Sequence, residues 1–316
     1  GEAAGVIVGA GDDAAVVEPA RHPVLLTTDM LVEGVHFELG ATLPHDLGHK
    51  AVTVNVSDVA AMGGSPRYGL AAVALPESVE SAWVMELYGG MREAADEYAM
   101  TIVGGDTTRG DRTTIAVAVV GEVPEGRAVL RSGAAPGDVV AITGRLGGSA
   151  AGLRIATAPD HEQKSLLSTA WGRALVAMHE RPVARLGEGQ VLAAAGATAM
   201  LDLSDGLSLD LARLCEESKV GARIHPDAVP LATGLDELAG EIGADPLDLA
   251  LHGGEDYELL CTIARQAVQP AGYRLEERYG TTLTVIGEIV EGTGITVVRA
   301  DGSEEQLEAK GWDHFA

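Results

Sequence analysis

The chain has 316 residues, 46% of them hydrophobic, with 22 Lys and Arg against 47 Asp and Glu for a formal net charge of −25. That length accommodates two domains with cores of their own, while the charge argues against nucleic acid or an anionic membrane as the main partner. Cys215 and Cys261 lie far apart inside apolar segments, which excludes a disulfide framework and a thiolate zinc site. There is no signal peptide at the start and no apolar run of about 18 residues, so a soluble, cytoplasmic protein is expected. Because the chain opens at Gly1 without Met, an N-terminal segment is expected to precede it.

In chain order, Val6-Ile7-Val8 leads into Gly9-Ala10-Gly11-Asp12-Asp13-Ala14, which has the spacing of a dinucleotide fingerprint. The continuation argues against that reading. Pro19 and Pro23 stand where a crossover helix should begin, and residues 24 to 28 already read as the next strand. That strand, Val24 to Asp29, ends in a loop carrying His36, which is either a substrate contact or an ordinary half-buried histidine. A helix follows from about His45 to Met62, closed by Gly63-Gly64 and Pro66. Asn55 and Asp58, three apart, share one face of it. A carboxylate in so apolar a helix has to be paired, hydrogen-bonded or metal-bound.

Residues 68 to 75 read as a strand and 78 to 98 as an amphipathic helix, softly broken at Gly89-Gly90. A short strand, 101 to 103, runs into Gly104-Gly105-Asp106-Thr107-Thr108-Arg109-Gly110. Paired glycines there could wrap phosphate oxygens with Asp106 on a metal and Arg109 neutralising charge, or form a plain turn. A strand at 113 to 123 completes a first domain, and the turn-rich stretch 124 to 137, which holds Arg131, reads as a linker.

The second domain spans 138 to 316. It opens with a strand at 138 to 143, a glycine loop at 144 to 149, and a helix N-terminus suited to an anion. No Gly-Lys-Ser/Thr occurs anywhere, which excludes the P-loop mode of ATP binding. Helices are expected at 165 to 179 and 182 to 195. Then Leu201-Asp202-Leu203-Ser204-Asp205-Gly206-Leu207 reads as a strand end turning into a helix start, with Asp202 and Ser204 on one strand face and Asp205 at the helix start. The helix at 208 to 218 places Cys215 in the core. Gly253-Gly254-Glu255-Asp256-Tyr257-Glu258 comes next, then strands at 282 to 289 and 295 to 299, and a tail ending in Trp312 and Phe315 that can anchor by its aromatics. Acids recurring beside glycines and hydroxyls suit hard cations such as Mg²⁺ and point to a multi-metal phosphate site.

Gly-Asp-Asp at 11 to 13, Thr-Thr-Asp-Met-Leu-Val-Glu-Gly-Val-His-Phe at 27 to 37, Asn-Val-Ser-Asp-Val-Ala-Ala-Met-Gly at 55 to 63, Gly-Gly-Asp-Thr-Thr at 104 to 108, Arg-Ser-Gly-Ala at 131 to 134, Asp-Leu-Ser-Asp-Gly-Leu at 202 to 207, Gly-Gly-Glu-Asp-Tyr-Glu at 253 to 258 and Gly-Trp-Asp-His-Phe at 311 to 315 stand in the order found in one family. In this order the chain resembles the thiamine-monophosphate kinases of the AIR-synthetase-like (PurM-like) superfamily. The resemblance implies an α/β protein of the α+β type with two domains, a homodimer formed through the N-terminal one, and transfer of the ATP γ-phosphate to thiamine monophosphate.

It further implies that Asp13, Thr27, Thr28, Asp29, Asp58, Asp106, Asp202 and Asp205 hold several Mg²⁺ ions. Gly105, Asp106, Arg131, Ser204 and Tyr88 would contact ATP, His36, Glu255 and Trp312 the acceptor, and Asp106, Asp205 and Arg131 would be catalytic. The rival readings are a selenophosphate or AIR synthetase of the same superfamily, a non-catalytic acidic cation-binding protein, and a Rossmann oxidoreductase.

Overall fold

The computed structural model describes residues 5–9 and 14–311, so Asp13 and Trp312 lie outside the described residues. The chain divides into two units, Gly1–Val59 with Gly64–Gly126, and Ala60–Gly63 with Arg127–Ala316. Among the described residues no helix is long and apolar enough to cross a membrane.

In the first unit a short antiparallel pair, β1 (Val6–Val8) with β2 (Val16–Val17), precedes β3 (Val24–Val32), α1 (Pro44–Ala61), β4 (Ser65–Leu75), α2 (Ser81–Glu97), β5 (Thr101–Arg109) and β6 (Thr114–Glu122). The β1–β2 pairing is incompatible with a βαβ dinucleotide unit, in keeping with the proline argument. The sheet order is β3-β6-β4-β5, with β4 and β5 parallel and the other pairs antiparallel. Strand β6 alternates as a half-covered strand should, with Ile115, Val117 and Val119 buried.

Two expectations are corrected here. Residues 104 to 109 continue β5 and are no loop, because β4 pairs with them as far as Leu75 and Arg109. Helix α2 is unbroken at Gly89-Gly90. A Cβ on Gly90 would stand 1.8 Å from the His45 carbonyl oxygen, and one on Gly48 would stand 1.9 Å from that of Leu87. These glycines are contact points at which α1 and α2 touch backbone to backbone.

The second unit contains β7 (Val139–Thr143), α3 (Gly148–Ala156), α4 (Asp160–Ser168), α5 (Ala170–Glu180), α6 (Leu186–Ala195), β8 (Ala199–Asp202), α7 (Leu207–Ser218), β9 (Gly221–Ile224), α8 (Leu235–Ile242), α9 (Pro246–His252), β10 (Leu259–Ile263), α10 (Arg265–Tyr279), β11 (Leu283–Val290), β12 (Gly294–Val298) and β13 (Glu304–Gln306). Its sheet runs β13-β12-β9-β11-β7-β10-β8. The helix expected at 165 to 179 is two helices. Thr169 ends α4 and caps α5, its hydroxyl accepting from the Gly172 N–H at 3.0 Å.

Strands β7, β8 and β10 are buried on both faces. Alternate residues enter different cores: Val140, Ile142, Leu201 and Leu260 pack with α7, and Val139, Ala141, Met200 and Cys261 with α6 and α10. Both cysteines are core residues as expected, and burial pushes the Cys215 thiol up to about 11 and the Cys261 thiol up to about 12.

The glycine loop before α3 also departs from expectation. Its helix N-terminus is capped from within the chain: the Gly147 N–H donates to Asp256 Oδ2 at 2.7 Å and the Ser149 N–H to Oδ1 at 3.1 Å. A carboxylate of the protein takes the place an external anion would need. Burial is the largest influence on Asp256 and raises its pKa from 3.8 to about 7, against the amide hydrogen bonds, which lower it.

Two outcomes follow from this packing. Gly90→Ala drives a methyl into the α1 backbone and is expected to cost roughly 3 kcal/mol, at the upper end for overpacking; urea unfolding with a midpoint equal to wild type would contradict that contact. For Asp256 the native pKa exceeds the unfolded one, so across about pH 4 to 7 the native state holds a proton the unfolded state has released, and stability falls as pH rises. Asn resembles the protonated acid and does not titrate. The stability of wild type relative to Asp256→Asn should therefore fall by roughly 2 kcal/mol or more between pH 4 and 8, whereas parallel pH profiles in urea unfolding would show that Asp256 is ionised throughout.

Candidate functional site

In the first unit, strand register decides which expected ligands can meet. Asp29 is in one row with Val117, Ala71 and Gly105, and Thr27 with Val119 and Gly69, on the face that carries the buried residues of β6. Thr28 aligns with Ala118, Leu70 and Gly104, and Met30 with Ala116, Ala72 and Asp106, on the opposite, open face. Thr27, Asp29 and Gly105 are thus separated from Thr28 and Asp106 by the sheet itself. The strand carrying Thr27, Thr28 and Asp29 also runs on to Val32 and does not end at Asp29.

Helix α1 meets the covered face through Asn55 and Asp58, as their shared helix face leads one to expect. The Thr27 hydroxyl donates a hydrogen bond to Asp58 Oδ2, and the Asp29 N–H donates to Asn55 Oδ1 at 2.9 Å. Asn55 is itself held by the Ala51 carbonyl at 3.0 Å. The half-buried His36 caps the turn after β3, its Nδ1 accepting from the Val32 N–H at 3.1 Å. Tyr88 on α2 is tied to β5 by a 3.0 Å hydrogen bond between its hydroxyl and that of Thr107.

On the open face Thr28, Gly104 and Asp106 help line a cavity of about 940 Å³, which Gly105, having no side chain, borders with its backbone. Gly105 is required by packing: a Cβ there would meet the Ala71 carbonyl oxygen at 1.9 Å. Arg109, read as a charge neutraliser, is paired with Glu77.

In the second unit the strand-to-helix turn is as expected. Strand β8 ends at the buried Asp202, residues 203 to 206 bend, and α7 starts at Leu207. Ser204 is on the bend, not on the strand. The Asp205 and Gly206 N–H groups donate to Asp210 Oδ2 at 3.0 and 3.1 Å, so this helix start too is capped from within. The Asp205 carboxylate pairs with Arg213, which also reaches Asp210 at 3.0 Å. Arg131 is exposed on a loop pinned by Ser218, whose hydroxyl donates to the Arg131 carbonyl at 3.0 Å, and its guanidinium forms no ion pair among the described residues.

The Asp205 turn is locked to the Glu255 loop. The Leu203 N–H donates to the Glu258 carbonyl at 2.8 Å, the Glu255 N–H to the Ser204 carbonyl at 2.7 Å and the Tyr257 N–H to the Leu203 carbonyl at 2.9 Å. Glu255 and Tyr257 have φ values of +65° and +50°, a region that non-glycine residues seldom occupy. The tail reaches the same place: the Lys310 N–H donates to Ser208 Oγ at 3.2 Å, and a Cβ on Gly311 would meet the Asp205 carbonyl oxygen at 2.4 Å.

Four residues around these motifs were not singled out by the sequence reading. Arg213 and Asp210 had a local signal, an i, i+3 pair on the first turns of α7. His179 had none, since the Glu255 it touches is distant in sequence. Arg185 likewise meets Glu258 only in the fold, where its Nε donates to Oε2 at 2.8 Å.

No group of three or more His, Cys, Asp or Glu placed to share a metal ion occurs among the described residues. Among the expected ligands, Thr27 and Asp58 form a pair of oxygen donors, and Asp205 shares Arg213 with a second carboxylate, Asp210, that was not among them. Mg²⁺ is commonly bound by one or two carboxylates with water and substrate phosphate completing its shell, and such pairs fit it.

The AIR synthase related protein family matches through its N-terminal domain over residues 11–123 and its C-terminal domain over residues 135–300. The chain is 36% identical to the thiamine-monophosphate kinase of Bacillus subtilis (98% of this chain, 94% of the relative) and 38% identical to that of Aquifex aeolicus (96% and 92%). Among solved structures, AaThiL complexed with AMPPCP and TMP superposes with a TM-score of 0.81 at 37% identity over 96% of this chain and 91% of that one. The thiamine-monophosphate kinase of Stenotrophomonas maltophilia K279a gives 0.84 at 36%, over 96% and 93%. Hydrogenase maturation protein HypE, at 21% identity and a TM-score of 0.74, shares the fold. Similarity of this extent, running through both units, means that the chain belongs to the thiamine-monophosphate kinase family of AIR-synthetase-like enzymes.

Proposed function

We propose that this enzyme transfers the γ-phosphoryl group of ATP directly to the phosphate of thiamine monophosphate, giving thiamine diphosphate and ADP. One observation carries the reading beyond family membership. Ser204, the expected nucleotide contact, and Glu255, the expected acceptor contact, are joined by a 2.7 Å backbone hydrogen bond, so groups suited to donor and acceptor are held side by side.

In the transfer, the bond between the γ-phosphorus and the bridging oxygen of ADP breaks as a bond forms from an oxygen of the acceptor phosphate. That oxygen is already ionised, so no general base is required, and the chemistry asks chiefly for alignment and charge neutralisation. Bound Mg²⁺ would offset the repulsion between the two phosphates. Asp29, Asp58 and Thr27 would hold it on the covered face of the first sheet, Thr28 and Asp106 on the open face, and Asp202 and Asp205 in the second unit. By the resemblance Asp13 belongs with them. The exposed Arg131 guanidinium would steady charge on the nucleotide, and Tyr88, fixed by Thr107, would pack on the adenine. His36 and Trp312 join Glu255 as acceptor contacts.

The domain division at 124 to 137 and a homodimer built through the first domain are part of the proposal. What supports the dimer is the open sheet face, where Leu26, Met30 and Leu70 are 76%, 54% and 47% exposed, an apolar strip of the kind that marks an interaction surface. A cytoplasmic location accords with a phosphotransferase that uses ATP.

The test is a coupled assay with ATP, Mg²⁺ and thiamine monophosphate that follows ADP and thiamine diphosphate together. Equal yields abolished by EDTA are expected, with no phosphate retained covalently on the denatured protein; ATP hydrolysis without thiamine diphosphate would overturn the assignment. Asp205→Asn should keep the fold while lowering the rate by about 10² or more. A rate near wild type, or a collapsed melting transition in the absence of metal, would remove Asp205 from the catalytic set.

A further inference from the structure

The Glu255 carboxylate has a neighbour that the family motifs do not include. His179, at the C-terminal end of α5, places Nδ1 3.2 Å from Glu255 Oε2 and 3.0 Å from Ser149 Oγ. The His179 and Ser149 residues are buried, at 7% and 1% exposure, while the Glu255 side chain keeps 23% of its surface exposed. One end of the carboxylate is therefore gripped inside the fold, and the side chain still reaches the surface. An ionised carboxylate only accepts hydrogen bonds, so the contact is favourable with the proton on His179 Nδ1, which the Ser149 hydroxyl oxygen, facing the same nitrogen, then shares as a second acceptor.

The surroundings of this contact are fixed. A Cβ on Gly152 would stand 2.2 Å from the Leu175 carbonyl oxygen and 2.9 Å from His179 Cβ, so α3 and α5 touch directly and set the distance from His179 to Ser149. A Cβ on Gly254 would stand 2.5 Å from the Ser204 carbonyl oxygen, so the loop lies directly against the Asp205 turn, where the Glu255 N–H to Ser204 carbonyl bond of 2.7 Å holds it. The Asp256 carboxylate, bound to the α3 amides at 2.7 and 3.1 Å, anchors the residue after Glu255 to the helix that bears Ser149. With the backbone so held, the direction of the Glu255 side chain is the remaining freedom. His179 removes it.

We propose that His179, backed by Ser149, is a positioning residue for the acceptor: it holds the Glu255 carboxylate in the direction that meets the cationic thiazolium and aminopyrimidine of thiamine monophosphate. This rests on the functional reading above. A freely rotating carboxylate would keep its charge and lose its aim, weakening acceptor binding and leaving nucleotide binding intact.

The experiment is steady-state kinetics on the whole chain for wild type, His179→Ala, His179→Asn, Ser149→Ala, Glu255→Gln and the His179→Ala/Glu255→Gln double variant, varying each substrate in turn. His179→Ala should raise the KM for thiamine monophosphate roughly ten-fold, the scale of a hydrogen bond to a charged group, with the KM for ATP within about two-fold of wild type. Asn places an amide N–H near the Nδ1 position and should restore most of the loss. Ser149→Ala should shift the same constant in the same direction by a smaller factor, and it serves in place of His179→Ala if that variant does not fold. The double variant should be no worse than Glu255→Gln alone. Equal rises in both KM values, additive losses in the double variant, or no rescue by Asn would each overturn the proposal with the kinase reading intact. A wild-type chain that forms no thiamine diphosphate would overturn both.

Discussion

The second unit depends on a short stretch of backbone pairing between two loops. Leu203, Ser204, Glu255, Tyr257 and Glu258 exchange hydrogen bonds of 2.7 to 2.9 Å, extending the β8–β10 pairing past the strand ends into the turns that carry the motif acids. Close approach has a conformational cost. Glu255 and Tyr257 sit at positive φ, at about 1 kcal/mol or more each, and Gly206 and Gly254 have no room for a side chain against His252 and Ser204. Buried backbone groups left without partners would cost as much or more, so the strained loop is also the satisfied one.

That constraint sorts the acids of a strongly acidic chain into two kinds. Asp256 and Asp210 are consumed by the fold, each accepting backbone N–H groups at the start of a helix, and Glu258 is bound by Arg185 and by the Thr143 hydroxyl at 2.6 Å. Asp106 is exposed beside an open cavity, and Arg131 is an exposed cation. The consumed acids are tied up in the fold, and the exposed groups are not. Sequence alone does not separate Glu255 from Asp256, which are adjacent and both acidic, because the difference arises from a helix start more than a hundred residues away in the chain.

Much of the architecture was legible in local pattern. Alternation in β6, the apolar run before Asp202, and the Gly63-Gly64 stop after α1 each reflect a physical rule acting within a few residues. The misreadings share a cause. Gly104-Gly105 reads as a loop and Gly89-Gly90 as a helix break because glycine is locally permissive, yet Gly105 and Gly90 are there to let a neighbouring backbone within reach of Ala71 and His45. The anion site expected before α3 fails for a related reason: the hydrogen-bond acceptor at that helix start is the chain's own Asp256. Period-two arithmetic could have told Thr28 from Thr27 and Asp29, since adjacent strand residues face opposite ways, but the distribution of the ligand set over two faces needed the register of four strands.

Phosphoryl transfer between two phosphates places an unusual demand on a protein. It needs little acid–base chemistry and a great deal of fixed geometry. A site built on mobile loops would lose that geometry, which is why positions set by packed elements matter more here than any single reactive group. On the function proposed above, the Ser204–Glu255 pair would meet the demand by indirect means. Its backbone is held by glycine contacts against α9 and the neighbouring turn, its flank by Asp256 on α3, and its carboxylate by His179 on α5. Three helices and two strand ends converge on a segment of a few residues, and the resulting rigidity fixes the spacing of Ser204 and Glu255.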